Sequence, residues 1–77
     1  MDELEQKLIS WIVTKRKEIG LSQEYFAQLI GLDQTAVSKI ELGKRRLSLT
    51  ESLKALTSLG LDIDEASELI KTLYQEN

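Results

Sequence analysis

The chain has 77 residues, a net charge of −3, and neither cysteine nor histidine. That length accommodates one domain, 1–77, with a small core. The missing residue types exclude disulfides and thiolate metal sites, and remove the commonest general base and metal ligand. No apolar run approaches the roughly 18 residues of a membrane span, and the acidic opening (Asp2, Glu3, Glu5) is unlike a secretory leader. The expectation is a soluble, intracellular protein without cofactor or metal. With no glycine-rich phosphate loop either, no enzyme site can be assembled.

In chain order the sequence predicts five helices and no strand. Leu4, Leu8, Trp11, Ile12 and Ile19 recur at helical spacing over residues 2–18, and Gly20 ends that helix. Trp11 is taken as core, and Lys15 and Lys17 as a solvated face. Ser22 caps a second helix with Phe26, Ala27 and Ile30 inward, ended by Gly31. Asp33 caps a third over 34–42, with Val37 and Ile40 inward and Gly43 at its end. A basic loop from Lys44 to Leu47 leads to a fourth helix at about 49–59. Ser48 or Thr50 is its cap and Leu49, Leu53, Leu56 and Leu59 form its apolar stripe. Gly60 closes it. Asp62 or Asp64 caps the last helix, about 63–75. There Ile63, Ala66, Leu69, Ile70, Leu73 and Tyr74 make a stripe wider than one small domain needs, which predicts a homodimer through this helix.

Charge is unevenly distributed. Residues 1–14 sum to −2, residues 15–46 to +3 and residues 47–77 to −4. A local positive field matters more to a polyanion than the average charge does. The two short helices around Gly31-Leu32-Asp33 have the length and turn of a helix-turn-helix, at about 22–42. Gly31 supplies the left-handed turn, and Ala27 is small enough for close approach. With Val37 and Ile40 inward, the third helix exposes Gln34, Thr35, Ser38 and Lys39. Positions 34 and 38, like 35 and 39, lie one turn apart and form a single patch. Glutamine can pair with adenine N6 and N7, and lysine can donate to guanine O6 and N7. Gln23, at a helix N-terminus, and Lys44, Arg45 and Arg46 are placed to hold phosphate.

The stretch LSQEYFAQLIGLDQTAVSKIELGKRR resembles the core of the Cro and phage-repressor (Xre-type) helix-turn-helix regulators. The resemblance covers about residues 8 to 66. It implies an all-α, compact, five-helix lambda-repressor-like domain whose third helix enters the major groove of double-stranded DNA. It also implies a cytoplasmic setting in a bacterium or phage. Family members often bury an arginine of the first helix against a glutamate at the end of the third, which here implies Arg16 and Glu41. Leu42 departs from the pattern: a polar or basic residue is common there and often touches phosphate. The implied function is a transcriptional regulator, a repressor on a palindromic operator, with RNA polymerase as a further partner. The alternatives are an interaction module, such as an antitoxin bound to a toxin protein, or a restriction–modification controller.

Overall fold

The computed structural model describes residues 2–76; the ends of the expected domain, Met1 and Asn77, lie outside the described residues. Five helices follow one another: α1 (Glu3–Ile19), α2 (Gln23–Ile30), α3 (Gln34–Glu41), α4 (Leu49–Ser58) and α5 (Ile63–Gln75). The described residues contain no strand.

Each helix starts on a side-chain cap. Asp2, Ser22, Asp33, Ser48 and Asp62 each accept a hydrogen bond from the backbone N–H three residues on, satisfying a donor that the helix cannot. Ser48 and Asp62 complete capping boxes with Glu51 and Glu65. The caps of α4 and α5 are thereby Ser48 and Asp62, and Thr50 and Asp64 fall within the first turns. Gly31 (φ 76°) and Gly43 (φ 76°) are left-handed. A methyl group added at either would meet nothing within 4 Å, so glycine is needed there for its backbone conformation and not for space.

Helix α2 is the hub: it packs on α3 and on α4, while α1 lies against α3 and α5, and α4 against α5. Phe26, Ala27 and Ile30 of α2 meet Ile12, Val37, Ala55, Leu56, Leu59 and Ala66 in one apolar cluster. Trp11 is half-buried at its edge.

The apolar stripes differ from the sequence pattern at helix ends. On α1 the buried line is Ile9, Ile12 and Arg16, and Ile19 stands 48% exposed at the last position. On α4 it is Ser52, Ala55 and Leu56, continued by the buried Leu59 at the C-cap; Leu49, the first helical residue, is 74% exposed. Leu47, just before the cap, turns onto the core instead. The buried Ser52 hydroxyl donates to the Ser48 carbonyl at 3.0 Å, which removes the cost of a polar group in that line.

Helix α5 narrows the expected dimer face. Ala66 is fully buried in the protomer's own core, and Leu73, nearly buried, lines a groove beside Trp11 of α1. Leu69 and Ile70 are half-buried against the same cluster. Ile63 and Tyr74 remain largely exposed. Ile63, Ile70 and Tyr74, at i, i+7 and i+11, share one outer stripe.

Candidate nucleic-acid interface

The third helix is held by two apolar side chains and one carboxylate. Val37 and Ile40 are buried under α2 and α1. Glu41, at the last helical position, receives three hydrogen bonds. Arg16 donates from Nε to Oε2 at 2.7 Å and from Nη2 to Oε1 at 3.0 Å. Gln23 donates from Nε2 to Oε1 at 2.8 Å. Arg16 also donates from Nη1 to the Leu21 carbonyl at 2.6 Å. The two ion-pair side chains are only 7% and 10% exposed. A forked guanidinium and a carboxylate make two parallel charge-assisted bonds, which fix orientation as well as distance. This cluster ties α1, the α1–α2 turn, the start of α2 and the end of α3 to one another.

On its other side α3 turns a polar face outward. Gln34, Thr35 and Lys39 are exposed and Ser38 is half-buried. Together with Gln23 they line one shallow concave surface. Leu42, 66% exposed, continues the Thr35–Ser38 line by one more turn. It also borders a groove lined by Ile9 and Val13 of α1.

Past Gly43 the basic loop is less free than its composition suggests. Arg45 donates from Nη1 and Nη2 to the two oxygens of Glu51, both at 3.0 Å, and from Nη1 to the Arg46 carbonyl. Arg46 donates from Nε and Nη2 to the two oxygens of Glu5 at 3.0 and 2.5 Å. Both arginines are raised further above their ordinary range by these carboxylate hydrogen bonds. Glu51 is pulled down to about 2, chiefly by the Arg45 hydrogen bond and next by the Ser48 backbone N–H. Lys39 and Lys44 are exposed, and neither forms an ion pair among the described residues.

The helix-turn-helix family profile matches residues 12–65, a span from the middle of α1 into α5. The chain belongs to this family and is a DNA-binding regulator of the Xre/Cro type. Control protein C.MunI of a Mycoplasma species is similar, 43% identical over 51 residues, which is 66% of this chain and 69% of that protein. An uncharacterized HTH-type transcriptional regulator of Haemophilus influenzae is 36% identical over 53 residues, 69% of this chain and 54% of that protein.

In this regulator the residues expected to read bases share one surface, and Ala27, Gly31, Val37 and Ile40 sit at the joint of α2 and α3. Three expected phosphate contacts are placed differently from the expectation. Gln23 spends an amide N–H on Glu41, because its position at the start of α2 faces the end of α3. Arg45 and Arg46 hold carboxylates of their own chain. Sequence reasoning missed Glu51, whose S-x-x-E capping box was a usable signal. It also missed Glu5, for which a separation of 41 residues offered none.

Removing either partner of the Arg16–Glu41 pair leaves a buried charge unmatched. Arg16→Ala or Glu41→Ala should each cost about 3–5 kcal/mol. Replacing both with apolar residues of similar volume should cost less than either single change, read by urea denaturation.

Glu51 gives an acid dependence of known sign. Its carboxyl ionises near 4.5 in the unfolded chain and near 2 in the fold. Its stabilisation is therefore complete above pH 4.5 and is lost as pH falls toward 2. Glu51→Gln should lower stability at pH 7 and flatten the decline across that acid range, measured by thermal unfolding at several pH values.

Proposed function

We propose that the protein acts as a homodimer on a palindromic operator, with α3 of each protomer in the major groove. The observation that carries this reading is the two-sided third helix. One side is clamped through Val37, Ile40 and Glu41, and the other presents Gln34, Thr35, Ser38 and Lys39 as a single polar surface. Such a face, rigidly held, can match donors and acceptors on base edges. Lys44 is the exposed cation of the loop that follows α3, outside the ion pairs formed by Arg45 and Arg46, and takes a phosphate. Gln23 retains its second amide hydrogen for another. A dimer would set two recognition helices about 34 Å apart along one face of the duplex.

The outer stripe of α5 supplies the partner surface in this reading. Ile63 and Tyr74 are 59% and 66% exposed, and Ile70 lies between them. The acidic residues of α5 then fall away from the DNA. Regulation follows by covering a promoter or by touching RNA polymerase beside it.

The Mycoplasma relative bears the name of a control protein, and this favours a controller of a restriction–modification system over an antitoxin. Footprinting on the DNA upstream of the protein's own gene tests the assignment. A protected palindrome supports it. Copurification with a toxin protein and no upstream protection would favour the antitoxin reading.

Lys39→Ala should lose discrimination at one or two base pairs, at about 1–3 kcal/mol. Lys44→Ala should weaken binding on all sequences alike and reduce the salt slope by about one. Equal losses by both variants on operator and random DNA would refute the division of roles.

Tyr74→Lys with Ile63→Lys should shift the protein from dimer to monomer in sedimentation equilibrium and weaken operator binding. An unchanged mass would remove α5 from the interface.

A further inference from the structure

The loop after the recognition helix carries three consecutive cations, and two of them are already neutralised. The two neutralising pairs differ in kind. Glu51 accepts from both Arg45 nitrogens and from the Ser48 backbone N–H, all within 3.0 Å. It also completes the capping box of α4, which fixes the carboxylate in place independently of Arg45. The Arg45 side chain is 35% exposed and that of Glu51 19%. This pair is part of the frame.

Arg46 and Glu5 meet differently. The Arg46 side chain is 73% exposed and Glu5 22%. Nε and Nη2 face the carboxylate. The pair joins the loop to the first turn of α1; the Glu5 backbone N–H donates to the capping Asp2 carboxylate, and among the described residues its own carboxylate completes no capping box there. Asp2, which caps α1, adds a second negative charge acting on Arg46. With Arg46 standing mostly in water, such an ion pair is screened and contributes little to stability, and a phosphate oxygen can replace a carboxylate oxygen in the same fork.

The geometry points to Glu5 as an internal competitor of the DNA phosphate at Arg46: the guanidinium exchanges one carboxylate for one phosphate when the loop docks. This rests on the proposal that the loop faces DNA, and it adds a residue of α1 to the determinants of affinity. Glu5 acts through Arg46 and touches no base. While it holds the guanidinium, the protein displays one cation fewer to any duplex. Binding to random DNA is almost wholly electrostatic, so that mode is weakened most.

The test is a double-mutant cycle on the full chain with a random-sequence duplex, titrated between about 50 and 200 mM salt. Glu5→Gln should raise affinity several-fold and steepen the salt slope by up to about one unit. Arg46→Ala should have a small effect in the wild-type background. In the Glu5→Gln background it should abolish both the gain and the added slope. A purely structural role for Glu5 would lower affinity and leave the slope unchanged. Thermal unfolding of each variant verifies that the compared proteins are folded. A gain that persists in Glu5→Gln/Arg46→Ala would make it a general effect of net charge and overturn the exchange. No gain in Glu5→Gln, with wild type binding normally, would overturn it too. Wild type that does not bind DNA would refute the DNA-facing loop itself, a result distinct from the loss of coupling alone.

Discussion

A guanidinium inside a small helical protein cannot shed its charge, so the fold around it must supply acceptors. Arg16 obtains them from two directions, the Glu41 carboxylate and the Leu21 carbonyl. The position of α3 depends on this arrangement. Apolar packing through Val37 and Ile40 presses the helix onto α2 but is tolerant of sliding and rotation. Directional bonds to Glu41 oppose both. Gln23 adds a tie from the start of α2 to the same carboxylate, so the two helices of the motif are joined at their open ends as well as at the Gly31 turn. The described residues leave no buried side-chain nitrogen or oxygen without a partner. The clamp therefore orders the helices without an unmatched polar group.

Much of this was legible in the chain because the signals were local. Caps three residues from their targets, glycines at helix ends and the spacing of Phe26, Ala27, Ile30, Val37 and Ile40 identify the elements and the joint between α2 and α3. The errors fall where local pattern and tertiary environment part company. Leu49 and Ile19 have the right spacing for burial yet sit at helix ends, beyond the packed part of the core. Ile9, left out of the expected stripe, is buried because α3 covers the early part of α1. On α5, Ala66 and Leu73 were legible as apolar but not as inward or outward, since that choice is made by where α1 and α4 lie.

The electrostatics were harder still. Composition places three cations side by side in the loop, and a linear reading leaves them all free. Two are answered by carboxylates, one six residues away and the other on the first helix. The segment sums of charge hid this, because they count ions by position in the chain and not by neighbour in space. What survives as exposed and unneutralised positive charge beside α3 is Lys39 and Lys44, a smaller field than KRR suggests.

The third helix alternates two jobs along eight residues. Val37, Ile40 and Glu41 anchor it, and the residues between them face away. Because the anchors carry the stability, Gln34, Thr35, Ser38 and Lys39 can be exchanged with little effect on folding. Under the proposed reading, in which these four residues face the bases, sequence preference is open to drift. A lineage then acquires a new target by changing four surface letters while the scaffold that aims them stays as it was, and proteins with the same frame need not recognise the same site.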